Sequence, residues 1–285
     1  MTLELTLPAP AKLNLLLNIV GQRPDGYHNL QTLFQFIDYC DELVFELLDN
    51  TQIILTSELA QVATEHNLIY RAARLLQQAT GTACGARISM NKKIPMGAGL
   101  GGGSSNAATT LIGLNQLWNT QLSLSALAEL GLELGADVPV FVHGCAAWAE
   151  GVGEQLTAVE LPQPWFLVIT PDCQVSTRDI FCHKELTRNT ATITIAAALQ
   201  HGGSNDCEPL ARRLYPEIDE ALQWLNNFAD ASMTGTGSSL FARFETRIAA
   251  EEVLANPSCR WKGFITRGLN LSPLHNIAKI STVLT

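Results

Sequence analysis

The residues best suited to chemistry begin with Pro95-Met96-Gly97-Ala98-Gly99-Leu100-Gly101-Gly102-Gly103-Ser104-Ser105, five glycines and two serines that run into the apolar helical pattern NAATTLIGLNQLW. Glycines let backbone N–H groups converge on phosphate oxygens, and a helix beginning near Ser104 and Ser105 would add its positive dipole end. A flexible surface linker does not explain why such a stretch ends on an apolar helix. Gly97, Gly99 and Gly102 fit G-x-G-x-x-G, but a dinucleotide fold needs a second parallel strand ending in an acidic residue, and here another helix, LSALAELGLEL, follows. The GK[ST] of a Walker loop is missing as well. The segment reads as a phosphate cradle of another kind.

Lys12, Asn14 and Asn18 fall on one face of a strand, Lys12–Val20, whose other face carries Leu13, Leu15, Leu17 and Ile19. A lone strand lysine is usually a solvated edge charge, yet its asparagine neighbours suit the wall of a polar cavity. Asp137, in GADVPVF, is a carboxylate in apolar surroundings, able to accept a proton or hydrogen bond from a hydroxyl. Asp before Val-Pro is equally a helix cap, and the local sequence favours the cap. Tyr27 and His28 follow the turn signal Pro24-Asp25-Gly26, and the local sequence reads as a surface turn that carries a Tyr. TGTGSS (234–239) is a second glycine turn, and a hairpin would explain it too. Asn67 reads as the cap of the helix NLIYRAARLLQQAT. The His and Cys residues show no metal-ligand spacing, so no metal site is expected.

The elements that must position these residues fit an α+β chain. Its 285 residues are 47% hydrophobic and 16% charged, a globular composition with room for two domains. The net charge of −9 and the lack of a basic run exclude an electrostatic footprint for nucleic acid, whereas a phosphorylated small molecule needs only a few local donors. Seven cysteines without a CxxC pair suggest reduced thiols, and nothing at the N-terminus resembles a leader, so a soluble, cytoplasmic protein is expected. The stretches LQTLFQFID, ELVFELL, QIILT and ARISMN read as strands of an antiparallel or mixed sheet. The break LPQP (161–164) sets a domain boundary near residue 160, giving units 1–160 and 161–285.

PMGAGLGGGSSNAA resembles the second motif of the GHMP kinases. PAPAKLN, GQRPDGYHNLQTLFQ, LGADVPVFV, MTGTGSSLFA and GLNLSPLH, in that order along nearly the whole chain, resemble one branch of that superfamily, which phosphorylates a hydroxyl of a cytidine-diphosphate-linked sugar alcohol in isoprenoid synthesis. The resemblance implies a two-domain fold, ribosomal-protein-S5-like at the N-terminus and ferredoxin-like at the C-terminus. It implies ATP, with Mg2+ brought by the nucleotide and Ser105 as a candidate ligand, bound along Pro95 to Ser105, with His66 and Asn67 near the adenosine. Lys12 and Asp137 match the catalytic pair, and Asn14, Tyr27, His28 and Phe181 match substrate-binding positions, Tyr27 and Phe181 stacking on the base. The implied partners are small molecules, with no nucleic acid and no membrane, for a monomer or weak homodimer. Another GHMP kinase, acting on homoserine or mevalonate, and an inactive nucleotide-binding relative are the competing readings; the GYHNLQT segment suits a base-bearing substrate and has no purpose in the former.

Overall fold

A computed structural model describes residues 3–56 and 63–278. In chain order the elements are β1 (Glu4–Gln22), β2 (His28–Leu48), β3 (Ile53–Leu55), α1 (Leu68–Thr80), β4 (Gly85–Asn91), α2 (Gly102–Leu117), α3 (Leu124–Leu132), α4 (Val138–His143), β5 (Ala147–Glu150) and β6 (Gln155–Ala158). Then follow β7 (Trp165–Thr170), α5 (Thr177–Cys182), α6 (Ile195–His201), α7 (Glu208–Leu214), α8 (Pro216–Leu225), β8 (Ala231–Met233), β9 (Leu240–Phe244), α9 (Arg247–Leu254), β10 (Lys262–Leu269) and α10 (Pro273–Ala278). The sheet is mixed: β3 runs parallel to β4 and the other named pairs are antiparallel.

The framework is the β1–β2 hairpin, turned at Arg23–Tyr27 where the Arg23 N–H donates to Tyr27 O at 2.7 Å. Its partners are set by periodicity. β2 pairs with β4 through Glu42–Leu48 and with β10 at Ile37 and Phe36, and β10 in turn pairs with β7, so one sheet runs from β3 to β8. One apolar core fills the space between this hairpin and α1 to α4; α2 is buried almost all round because its first turns are built from small residues. A second core lies under β7, β8 and β9 with α7, α8 and α9, and a third, with Leu13, Ile37, Phe166 and Phe241, joins the two. The last helix returns to the first core through Leu274. Among the described residues no helix is long and apolar enough to cross a membrane, and the seven cysteines are free.

Two expectations from periodicity need correction. The clean alternation along Lys12–Val20 is broken between Asn14 and Leu17, where β1 advances from Asn14↔Phe34 to Leu17↔Thr32, three residues against two. This bulge flips the later side chains: Leu17 joins the face of Lys12 and Asn14, while Asn18, opposite Gln31, points to the other side. The helix after the glycines also starts earlier than Ser104, at Gly102 with Gly101 as its left-handed cap (φ 72°), because the glycines themselves close its first turn.

Candidate active site

One cavity of about 610 Å³ opens where the β1–β2 hairpin, the glycine loop, the start of α4 and the second half of the chain meet. Lys12 is its central charge. The side chain is buried, and its three donors meet three acceptors: Asn14 Oδ1 at 2.5 Å, Gly99 O at 3.1 Å and Asp137 Oδ2 at 3.3 Å. The ammonium also lies 5.4 Å from the centre of the Phe34 ring. Asp137 stands at the cap position of α4 but makes no capping bond, and its backbone is already helical. The reading of Asp137 as a cap is thus set aside; its carboxylate, about one-third exposed, faces Lys12 and the cavity. Asn14 is held by its amide, which donates to Thr32 Oγ1 at 2.8 Å, and its backbone N–H donates to Thr234 Oγ1 at 2.9 Å.

Pro95 through Ser104 line this cavity; Ser105 does not. The Ser105 N–H bonds Gly101 O at 2.9 Å and its wholly buried hydroxyl has no partner among the described residues, so neither group is presented to a ligand. Ahead of it the N–H groups of Gly102, Gly103 and Ser104, in the first turn of α2, are the unsatisfied donors of a helix start. The loop needs glycine where it touches other elements. A Cβ on Gly99 (φ 74°) would lie 2.2 Å from Thr234 O, and one on Gly101 would lie 2.8 Å from the Phe141 ring and 3.0 Å from Lys12 Cε. The TGTGSS segment forms the β8–β9 turn and also clamps this loop: Ser239 N–H donates to Ala98 O at 3.1 Å and Thr234 Oγ1 to Gly99 O at 3.3 Å. At the loop's start, fully buried Asp41 accepts from Lys92 Nζ at 2.6 Å, Lys93 N at 2.7 Å and Ile94 N at 2.8 Å. Among the described residues lining the cavity the lysines are Lys12, paired with Asp137, and Lys92, paired with Asp41 beneath the lining, so each ammonium carries its own carboxylate.

The chain as a whole has well-matched relatives among known proteins. The family models "GHMP kinases N terminal domain" and "GHMP kinases C terminal" match residues 67–145 and 184–263. The 4-diphosphocytidyl-2-C-methyl-D-erythritol kinase of Nitrosococcus oceani is 56% identical over 94% of this chain and 95% of its own length. The chain belongs to the 4-diphosphocytidyl-2-C-methyl-D-erythritol kinase family. A crystal structure of a 4-(cytidine 5'-diphospho)-2C-methyl-D-erythritol kinase superposes with a TM-score of 0.80 at 33% identity, covering 93% of this chain and 99% of that one. A homoserine kinase from Cytophaga hutchinsonii, at 18% identity and a TM-score of 0.66 over 94% of this chain and 95% of its own, shares the fold. The α+β fold of two GHMP units expected from the sequence is the fold found, and the chain is a small-molecule kinase.

The remaining expected positions of this family member lie away from the Lys12–Asp137 pair. Phe181, from α5, lines the cavity, and the His28 ring lies 5.2 Å from it, centre to centre. His28 itself is buried beside the cavity, and burial, with the Arg188 charge behind it, pushes its imidazole below the ordinary value. Tyr27 is not part of the lining; it is 63% exposed on the hairpin turn, where its N–H donates to Asp25 Oδ1. His66 and Asn67 line the cavity, and Asn67 also caps α1, accepting from Ile69 N at 2.9 Å. Lys92, Asp41 and Arg188 are not among the site residues that the sequence points to, whereas Thr234 opens the TGTGSS turn. The pair Lys92-Lys93 directly before the glycine loop is the one signal that would have pointed to any of them.

Proposed function

We propose that the chain transfers the γ-phosphoryl group of ATP to the 2-hydroxyl of 4-diphosphocytidyl-2-C-methyl-D-erythritol, giving the 2-phosphate and ADP. The observation that carries this reading is the Lys12 ammonium, which touches the glycine loop at Gly99 O and the carboxylate of Asp137 at once. It thereby joins a polyphosphate site to an acceptor site. The free N–H groups at the start of α2, with Lys92, hold the nucleotide phosphates. The acceptor hydroxyl sits beside the Lys12–Asp137 pair, within hydrogen-bond reach of both. As its oxygen bonds to the γ-phosphorus, the bond from that phosphorus to the bridging oxygen breaks, its electrons leave with ADP, and Asp137 takes the hydroxyl proton. Lys12 orients the Asp137 carboxylate through their ion pair and balances charge on the transferring group.

Mg2+ belongs with the nucleotide rather than with the protein. Among the described residues no group of three or more His, Cys, Asp or Glu forms a metal site, and Asp137, the cavity's carboxylate, is already paired with Lys12. Mg2+ needs only one or two protein oxygens beside the phosphates and water, and in this reading the phosphates and water carry the cation. The partners are small molecules, the compartment is the cytoplasm, in keeping with seven free thiols, and the units divide near residue 160 with α10 returning to the first.

Phosphorus NMR of the product tests the reading: a new phosphomonoester beside an intact cytidyl diphosphate is expected. A lengthened or cleaved diphosphate would contradict it.

A further inference from the structure

Arg188 lies in the irregular segment after α5, outside the cavity lining, and all the bonds it makes run to the end of the site that carries His28 and Phe181. Its Nε donates to His28 Nε2 at 2.9 Å, one Nη donates to Leu186 O at 3.1 Å, and the other donates to Phe181 O and His183 O, both at 2.8 Å. A guanidinium has donors and no acceptor, so the bond to His28 has only one direction. Nε2 must present its lone pair. In a neutral ring the proton is then on Nδ1, which has no acceptor among the described residues. The same guanidinium fixes the backbone from Phe181 to Leu186, and so sets where the Phe181 ring stands relative to the His28 ring, 5.2 Å away.

We propose that Arg188 is a positioning residue for nucleobase specificity: it locks His28 in the tautomer with the proton on Nδ1 and holds Phe181 in the same frame. The side chain offered to the base is then a hydrogen-bond donor. It matches a base whose pairing edge presents acceptors, the carbonyl and ring nitrogen of a cytosine, and mismatches an edge that presents an N–H donor at the ring nitrogen, as uracil does. An unanchored neutral imidazole would present either. This inference rests on the reading of His28 as the base-contacting residue, and it adds what makes that residue selective.

The tautomer can be read without substrate. In protein labelled with 15N at histidine, long-range proton–nitrogen correlation should show His28, assigned by loss of its signals in His28→Asn, protonated at Nδ1. In Arg188→Met the Nε2-protonated form should appear. A wild-type ring protonated at Nε2, or a tautomer unchanged in Arg188→Met, overturns the proposal, and the wild-type spectrum decides even where the variant folds poorly. Kinetically, Arg188→Met should raise KM for the cytidyl substrate about tenfold and narrow the preference over a uridyl analogue, with KM for ATP unchanged. Equal rises in both KM values, or an unchanged base preference, count against it. A separate failure is visible in His28→Asn: if its KM for the cytidyl substrate equals that of wild type, the base-contacting reading falls while the tautomer result stands on its own.

Discussion

At the end of the cleft assigned to phosphate the donors are backbone N–H groups and buried charge, tied to three elements at once; at the end assigned to the base they are side chains on a turn and on the segment around α5. The glycine loop is bonded to β1 through Lys12 N–H and Leu100 O and to the β8–β9 turn through Ala98 O, and Lys12 itself is buried. Tyr27, by contrast, is mostly exposed, and His28 and Phe181 are brought together across more than 150 residues of sequence by ring contact and by Arg188. The difference follows from the ligands. Phosphate is recognised by converging fixed dipoles, which a backbone supplies once its path is rigid, whereas a base is chosen by ring faces and edges, which only side chains supply.

The comparison is broken most sharply at Asp137. Asp137→Asn should lower kcat by about 10²- to 10⁴-fold, the usual scale for a positioned base, while calorimetry finds binding of a non-hydrolysable ATP analogue retained; unchanged turnover would remove the carboxylate from the chemistry. Next is the loop's rigidity. Gly99→Ala adds a collision with Thr234 O to the strain of a left-handed backbone, and should cost about 3 kcal/mol in urea unfolding. Gly97→Ala, equally left-handed (φ 65°) but with open space around its Cβ, should cost about 1 kcal/mol. Equal losses would show that the Thr234 clamp is not what rigidifies the loop.

The contact of α10 with α4 also has a pH signature. His275 of α10, buried behind α4 with Nε2 on Val142 O at 2.9 Å, is pushed down to about 4 chiefly by burial. An unfolded chain would take up that proton near pH 6.5. Stability is therefore complete above pH 6.5 and declines as pH falls from there toward 4, by about 2 kcal/mol at pH 5. His275→Gln should flatten this part of the unfolding profile; an unaltered slope would assign it to other groups. The smallest effect is expected at the surface. Tyr27→Ala should raise KM for the cytidyl substrate about tenfold, the loss of one stacked ring, leaving KM for ATP and the melting temperature unchanged. Equal rises for both substrates would count against stacking.

The same contrast governs what was legible in the sequence. The glycine loop, Lys12 and the Asn67 cap are local patterns, and each appears where its spacing placed it; LQTLFQFID and ELVFELL, read as separate strands, run on as the single β2. The bulge at Asn14–Leu17 escaped because alternation of side chains is uninterrupted in the text; the extra residue shows only in the register with β2. Asp137 read as a cap because Asp-Val-Pro is a helix start whatever the carboxylate faces, and its partner is 125 positions away at Lys12. Arg188 left no trace, since its acceptors are mostly backbone carbonyls and its one side-chain partner is at the far end of the chain.

The central claim, that one cleft joins a phosphate cradle to a base-selective end, is tested most directly by ADP release with Mg-ATP and a panel of acceptors. The panel is 4-diphosphocytidyl-2-C-methyl-D-erythritol, methylerythritol phosphate without the cytidyl group, mevalonate and homoserine. Turnover confined to the cytidyl compound is the predicted result. Comparable turnover of methylerythritol phosphate would show that the His28–Phe181 end selects nothing and would contradict the account.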